Sequence, residues 1–323
     1  MKNVIDYIIK NDSFLISSHI NPDGDNIGSS MAMYLFLKKI GKKVEYILDD
    51  NYPENLIFLY NSEAKKTSSE VEIDGKYSVI TLDCGDYNRV CMDKSLLDNA
   101  EEIICIDHHM NSGEYASIKY IDEKESSTCE LVFNLLRKYE DDYKTTIIDD
   151  EIATYLYTGL VTDTGNFMYS NTKVSSYLMA ATLIERGADK NIIIQNIYQN
   201  NKTNFLKALG EALKNIEVID SKIAVMYVSK AMLNKYSLKY DDIDGMTPYC
   251  RDIEGVELGI FIKEKEVGEI KVSLRSKNYM DCTALANNFG GGGHIRAAGV
   301  SFRNQSIEEV KNKLVNKAKE MGI

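Results

Sequence analysis

The amino-acid sequence predicts an α/β protein in which a doubly wound, mostly parallel sheet is followed by a second, smaller α/β domain. Two observations lead to this prediction. Apolar, strand-like runs alternate with helical patterns in the first half of the chain, as is typical of parallel sheets. After a helical stretch the pattern changes to short strands of alternating character, and 323 residues are enough for two domains of ordinary size.

The first half contains four strand-like segments. Their sequences are FLISSHI, VEYILDD, YSVITLD and EIICIDH, at residues 14–20, 44–50, 77–83 and 102–108. A helix is predicted between the first two segments, at 27–40, where Gly41 closes it. Acids or His stand at the ends of these segments, and ligands of doubly wound sheets bind beyond the carboxyl ends of the strands. A functional site is therefore expected at that edge of the sheet.

From Ser126 to about residue 200 the chain is predicted to be mostly helical, and one more helix is predicted at 203–216. Short strands follow. The predicted divisions are a first domain at 1–187, a helical linker at 188–214 and a second domain at 215–323. The crevice between two such domains is a natural position for a substrate site.

Composition and charge limit the classes of partner. The net charge of −11 argues against binding of long nucleic acid, which needs a basic surface. It is compatible with a small anionic substrate, because bound metal ions supply local positive charge. No stretch approaches the ~18 apolar residues of a membrane-spanning helix, so no membrane partner and a cytoplasmic location are expected. The six cysteines show no C-x-x-C spacing, which favours reduced thiols over a zinc ribbon.

Each histidine of the chain lies at a predicted strand end or in a glycine-rich segment. They are His19, His108, His109 and His294. A single histidine at a strand end is more often structural than catalytic, but four histidines in such positions favour a functional cluster.

His19, Asp23 and Asp25 have the spacing H-x-x-x-D-x-D around the turn NPDGD. Gly24 can adopt a positive φ in this turn, so the three side chains could converge on one point. The alternative is that Asp25 only caps the helix that follows.

Further acids and imidazoles follow the later segments. Asp83 lies in LDCGD, Asp107 precedes His108 and His109 in IDHH, and Asp163 in GLVTDTG follows an apolar helical run. A cap or a solvated turn is the ordinary explanation for Asp83 or Asp163 alone. Together, carboxylates and imidazoles without thiolates favour Mg²⁺ or Mn²⁺ over structural zinc. There are more acids than one ion needs, which suggests two ions that share a bridging carboxylate.

Five motifs resemble those of the DHH phosphoesterase family with a C-terminal DHHA1 domain. In chain order they are HINPDGD, LDCGD, IDHH, GLVTDTG and GGGGHIRAAG. They are spread over nearly the whole chain. The resemblance implies a site for two Mn²⁺ ions in the first, DHH domain, with Mg²⁺ or Co²⁺ as possible substitutes.

The resemblance also implies a role for each residue of the cluster. One ion would be held by His19, Asp23 and Asp83, and the other by Asp25, Asp83, His108 and Asp163. Asp83 would bridge the ions. Asp107 would support the site, and His109 would lie near the scissile phosphate as a donor to it or to the leaving oxygen.

In the DHHA1 domain, the resemblance implies binding of the part of the substrate beyond the scissile bond. The backbone N–H groups of Gly291, Gly292 and Gly293 could approach a phosphate closely. His294 adds a donor, and Arg275 carries a planar guanidinium that suits a phosphate.

Two-domain members of this length are similar to bacterial nanoRNases that also hydrolyse 3′-phosphoadenosine-5′-phosphate (pAp). The resemblance thus implies a Mn-dependent phosphoesterase that releases 5′-mononucleotides from short oligoribonucleotides, and AMP from pAp, by attack of a metal-activated hydroxide on phosphorus. One alternative is a phosphodiesterase acting on cyclic di-AMP or linear pApA, with the same catalytic residues. A nucleotide-binding regulator would be expected to lack a ligand, whereas every ligand position here is filled. A homodimer is expected from the family alone.

Overall fold

The structure, a computed structural model, describes residues 1–110 and 113–323. The chain divides into two units, Met1–Asn200 and Asn201–Ile323, at a point inside the predicted linker. Among the described residues, no helix is both long enough and apolar enough to cross a membrane.

The first unit is built around a parallel sheet. Its strands are β1 (Ser13–Ser17), β2 (Lys43–Ile47), β3 (Lys65–Lys66), β4 (Ser78–Leu82), β5 (Ile103–Asp107) and β6 (Ile118–Ile121). Its α-helices are α1 (Lys2–Lys10), α2 (Gly24–Lys39), α3 (Lys94–Asp98), α4 (Thr128–Tyr143), α5 (Asp150–Asp163), α6 (Val174–Glu185) and α7 (Lys190–Tyr198). Within the described residues the strand order is β3-β2-β1-β4-β5-β6, and each neighbouring pair is parallel. The predicted parallel sheet is confirmed.

The strand order changes direction at β1. The chain continues from β1 to β2 and β3 on one side, whereas β4, β5 and β6 lie on the other side. The carboxyl ends of β1 and β4 therefore flank a topological switch point, where sheets of this kind bind ligands. All five residues of β4 are buried, as expected for a central strand covered on both faces.

Helix α2 is buried along most of its length and packs against α4 and α5. The close approach of α2 and α5 depends on glycine. A Cβ on Gly28 would lie 2.5 Å from the carbonyl oxygen of Tyr155, and a Cβ on Gly159 would lie 2.7 Å from Oδ1 of Asp25. The carboxylate of Asp25 thus lies directly against α5.

The second unit contains a mixed sheet. Its strands are β7 (Glu217–Ile219), β8 (Ile223–Val228), β9 (Leu258–Glu266), β10 (Glu269–Ser276), β11 (Gly292–His294) and β12 (Ala297–Arg303). Its α-helices are α8 (Thr203–Lys214), α9 (Lys230–Tyr236), α10 (Pro248–Arg251), α11 (Cys282–Asn287) and α12 (Ile307–Glu320). In the described part of the chain the order is β11-β12-β10-β9-β8-β7, with β8 and β9 parallel and the other pairs antiparallel. Buried residues of the sheet, α11 and α12 form one hydrophobic core. This smaller domain confirms the second part of the predicted fold class.

Candidate metal centre

Neighbouring strand ends bring three of the sequence motifs together. His19 lies just beyond β1, Asp83 directly follows β4, and His108 directly follows β5. These strands are adjacent and parallel, so their carboxyl ends meet at one edge of the sheet. Asp163 arrives from a different element, because it is the last residue of α5.

The first group of ligand-type side chains consists of His19, Asp23 and Asp83, whose ligand atoms lie within 4.8 Å of one another. Nε2 of His19 is 3.3 Å from Oδ2 of Asp83 and 3.7 Å from Oδ2 of Asp23. Nδ1 of His19 lies 2.8 Å from the carbonyl oxygen of Ile20. Because a carbonyl only accepts, this contact assigns a hydrogen to Nδ1 and leaves Nε2 on the side of the carboxylates, where it can carry a proton or bind a metal ion.

The second group consists of Asp25, His108 and Asp163, again within 4.8 Å of one another. Nε2 of His108 is 3.2 Å from Oδ2 of Asp163 and 3.9 Å from Oδ2 of Asp25. Nδ1 of His108 lies 3.2 Å from the carbonyl oxygen of Glu125, an arrangement that again assigns the hydrogen to Nδ1.

Asp83 belongs to the first group, also faces His108 of the second group, and is 3% exposed. Its Oδ2 faces His19 at 3.3 Å, while its Oδ1 is 3.7 Å from Nε2 of His108 and 3.5 Å from Nδ1 of His109. Each oxygen is therefore directed to a different group, which is the arrangement that a bridging carboxylate needs.

The two aspartates of the NPDGD turn have different local contacts. The N-cap of α2 is Asp23, whose side chain accepts hydrogen bonds from the backbone N–H groups of Asp25 and Asn26. The cap considered for Asp25 at this helix is therefore not formed by Asp25. Instead, Asp25 accepts hydrogen bonds from the backbone N–H groups of Thr128 (2.6 Å) and Cys129 (2.8 Å) in the first turn of α4.

Asp107 is fully buried and holds His109 rather than joining either ligand group. Its Oδ1 accepts hydrogen bonds from the backbone N–H of His109 at 3.1 Å and from Nδ1 of the same residue at 2.8 Å. Since this oxygen is the acceptor, as its bond from the backbone N–H shows, Nδ1 carries a hydrogen. Nε2 is then the nitrogen on the opposite side of the ring from Asp107.

Burial and repulsion between the carboxylates raise the pKa values of Asp23, Asp25 and Asp163, that of Asp23 to about 6, whereas Asp83 and the imidazoles stabilise one another's charges. Burial would raise the pKa of Asp83, but its contact with His19 and the nearby imidazole charges lower it to about 2. Burial would lower the pKa of His108, but the carboxylates of Asp163, Asp25 and Asp83 raise it to about 10. Within the described residues, the ion pairs of these carboxylates are formed with imidazoles alone. Protons on these imidazoles thus provide positive charge that a divalent cation could supply instead.

The residues present fit divalent metal ions. Nε2 of His108 is buried and faces carboxylate oxygens of Asp163, Asp83 and Asp25 at 3.2–3.9 Å without the geometry of a hydrogen bond, so a cation could be bound among these atoms. All six cysteines are buried as free thiols. Burial raises the pKa of Cys129, which lies against Asp25, so its thiol stays protonated. Carboxylate and imidazole ligands without thiolate suit Mn²⁺ and Mg²⁺.

Thr128 is a site residue that the sequence analysis assigned only to a helix. Its hydroxyl donates to Oδ1 of Asp83 at 3.0 Å, and its backbone N–H donates to Asp25. One residue of α4 thus holds a carboxylate from each of two distant motifs. The only local signal is its place directly after Ser127, the N-cap of α4.

In the second unit, Arg275 and His294 lie in one row of the sheet. Arg275 of β10 pairs with Ala297 of β12, and Ala297 pairs with His294 of β11. Residues in register on neighbouring strands project from the same face, and two strand spacings amount to about 10 Å. The two side chains therefore start from the same face of the sheet.

The glycine run at 290–293 is only partly a loop, because its last two residues, Gly292 and Gly293, belong to strand β11. A Cβ on Gly291 would lie 2.2 Å from the carbonyl oxygen of Gly299, and a Cβ on Gly293 would lie 2.5 Å from that of Ala297. The packing of β11 on β12 therefore requires glycine at these two positions. At Gly292, an added Cβ would meet nothing within 4 Å, so the predicted close approach of a phosphate depends mainly on this residue.

Comparisons with known proteins match both units. A model for the DHH family, N-terminal domain, matches residues 13–160, and one for the DHHA1 domain matches residues 220–321. The bifunctional oligoribonuclease and PAP phosphatase NrnA of Thermus thermophilus is 28% identical over 305 residues, covering 94% of this chain and 89% of that protein. The cyclic-di-AMP phosphodiesterase PdeA of Listeria monocytogenes is 24% identical over 330 residues, covering 96% of this chain and 48% of that protein.

A solved structure has the same fold. The crystal structure of an exopolyphosphatase-related protein from Bacteroides fragilis matches with a TM-score of 0.88 and 28% identity, covering 99% of this chain and 95% of that one. The matched domains occur in the same order as the parallel and mixed sheets described above. The chain therefore belongs to the DHH family of phosphoesterases, as a phosphoric ester hydrolase in which a DHH domain precedes a DHHA1 domain.

Proposed function

We propose that this phosphoesterase hydrolyses short oligoribonucleotides to 5′-mononucleotides and pAp to AMP, with two Mn²⁺ ions as cofactors. The observation that carries the proposal is the pair of ligand groups that Asp83 connects, with His109 also within 4.8 Å of the ligand atoms of Asp83 and His108. The name of the Thermus thermophilus relative, which covers 94% of this chain, supports the choice of both substrates.

The two ligand groups indicate which residues would bind each of the two metal ions. His19, Asp23 and Asp83 would hold one ion, and Asp25, Asp83, His108 and Asp163 the other. When bound, the ions would supply a nucleophilic hydroxide at neutral pH and neutralise charge on the phosphate. The mixture of imidazole and carboxylate ligands suits Mn²⁺, with Mg²⁺ and Co²⁺ as substitutes.

His109 donates a proton or a hydrogen bond to the scissile phosphate or the leaving oxygen in this proposal. Its hydrogen bond to Asp107 raises the pKa of His109, which increases the protonated fraction at neutral pH. We assign Nε2 to the substrate because Nδ1 is directed to Asp107. Asp107 thereby orients the donor without touching the substrate.

The second unit binds the phosphate beyond the scissile bond. Arg275 supplies a planar guanidinium, His294 a further donor, and the open backbone at Gly292 allows a close approach. A short substrate needs only these few groups, whereas a long strand needs an extended basic surface, which the net charge of −11 opposes.

A second candidate function is hydrolysis of cyclic di-AMP or its linear product pApA. The similarity to the Listeria monocytogenes phosphodiesterase over 96% of this chain favours it. The same metal ligands would serve both reactions, so the ligand geometry does not separate them.

The test is a substrate panel with one preparation of the full chain in Mn²⁺. It contains a 5′-phosphorylated RNA dinucleotide, pAp, cyclic di-AMP and a long single-stranded RNA, and the double variant His108→Ala/His109→Ala is the control. We expect turnover of the first two substrates and none by the variant. No turnover of the dinucleotide or pAp would refute the proposal, and a large preference for cyclic di-AMP would select the second candidate.

A further inference from the structure

The bridging candidate Asp83 has a left-handed backbone conformation, with φ of +54°. This region is uncommon for residues that carry a Cβ, although Asp tolerates it better than most. The backbone N–H of Asp83 donates to the carbonyl oxygen of Ile106 at 3.0 Å. Such a conformation persists where surrounding contacts enforce it, so the neighbours of this turn matter for the position of the carboxylate.

The hydroxyl of Tyr115 spans the turn that contains Asp83. It donates a hydrogen bond to the carbonyl oxygen of Cys84 at 2.6 Å and lies 2.8 Å from Oγ1 of Thr81. Since a carbonyl only accepts, the single hydroxyl hydrogen of Tyr115 is directed to Cys84. The two contacts connect the residue after Asp83 with the residue two positions before it.

The segment that carries Tyr115 is itself attached to this turn. The backbone N–H of Gly113 donates to the carbonyl oxygen of Gly85 at 3.0 Å. Burial raises the pKa of Tyr115, so the hydroxyl remains a donor throughout the working pH range. The hydrogen bond from this hydroxyl to the turn therefore does not depend on pH in that range.

We propose that Tyr115 is a positioning residue for metal binding, because its hydroxyl holds the Asp83 turn in the conformation in which both ligand groups can use this carboxylate. The inference depends on one part of the proposed function, namely that the two ligand groups bind metal ions. Loss of the hydroxyl removes a donor from the Cys84 carbonyl and lets the carboxylate leave its shared position. Partners outside the ligand set typically change metal affinity by about 10–100-fold.

The experiment compares Tyr115→Phe with Tyr87→Phe in the metal-free full chain. The ring of Tyr87 contacts that of Tyr115 edge-on, but its hydroxyl donates to Asp98 at the surface, so it is a matched control. Mn²⁺ affinity is measured by calorimetric titration without substrate, together with the thermal unfolding temperature. We expect affinity to fall about tenfold or more in Tyr115→Phe and to remain unchanged in Tyr87→Phe.

Four outcomes would overturn the inference. Unchanged Mn²⁺ affinity in folded Tyr115→Phe, with or without a lower unfolding temperature, would show that the hydroxyl has only a structural role. An equal loss in Tyr87→Phe would remove the specificity of the effect. Absence of Mn²⁺ binding to the unaltered protein would refute the proposed function itself. If Tyr115→Phe does not fold, Thr81→Val tests the other contact of the same hydroxyl, and unchanged affinity there overturns the inference equally.

Discussion

Replacing Asp107 with Asn tests whether this carboxylate controls the protonation of His109. Oδ1 of Asp107 lies 2.8 Å from Nδ1 and 3.1 Å from the backbone nitrogen of His109. Asn has nearly the same shape and keeps a carbonyl acceptor, but it carries no charge. Protonated His109 then loses its counter-charge, so we expect the pKa of His109 to fall.

The size of the fall follows from the change in one hydrogen bond. A net contribution of about 1.5–3 kcal/mol is typical when one partner is charged, against about 0.5–1.5 kcal/mol when both are neutral. The difference of about 1–1.5 kcal/mol corresponds to about one pKa unit. The charge of Asp83, with Oδ1 3.5 Å from Nδ1 of His109, remains in the variant and limits the shift.

Two assays measure the effect. NMR titration of the His109 ring in the metal-free protein reports its pKa directly. Because the protonated ring is the proposed donor, a lower pKa should move the alkaline limb of kcat against pH to lower pH by about one unit. Asp93→Asn, at the N-cap of α3, is the matched control. An unchanged pKa of His109 and an unchanged alkaline limb in Asp107→Asn would refute the reasoning.

Three other predictions concern packing, substrate binding and pH. Gly159→Ala would place a Cβ 2.7 Å from Oδ1 of Asp25, so the free energy of unfolding in urea should fall by about 1–3 kcal/mol. The control is Gly210→Ala, whose added Cβ would meet no atom within 4 Å and should not destabilise the protein. Arg275→Ala should raise the KM for pAp more than it lowers kcat, since Arg275 is assigned to a phosphate away from the reaction; a pure kcat effect would contradict this. In the metal-free protein, the nearby carboxylates raise the pKa of His108 from 6.5 to about 10. Its protonated imidazole therefore contributes fully to the stability of the fold below pH 6.5, and this contribution is lost as pH rises through 10. The thermal unfolding temperature should therefore fall over that range and rise on addition of Mn²⁺; a flat pH dependence of the metal-free protein would argue against it.

Much of the parallel sheet could be predicted from local patterns. Central strands such as β4 are buried throughout, so they appear in the sequence as continuous apolar runs that end where polar residues begin. Sequence analysis did not predict α1 or β6. The residues of β6 are only partly buried or exposed, which leaves a weak apolar signal.

The sequence by itself determined which side chains stand at the strand ends, because the buried strands appear as apolar runs and the acids and imidazoles follow where these runs end. Only the tertiary structure decided which of those side chains contact one another and which ligand group each of them joins. It directs Oδ1 and Oδ2 of Asp83 toward different imidazoles and brings Asp25 to the backbone of Thr128. It also aligns Arg275 with His294 through Ala297. These contacts join residues far apart in the chain, and their distances depend on helix packing and strand register, which no local pattern contains.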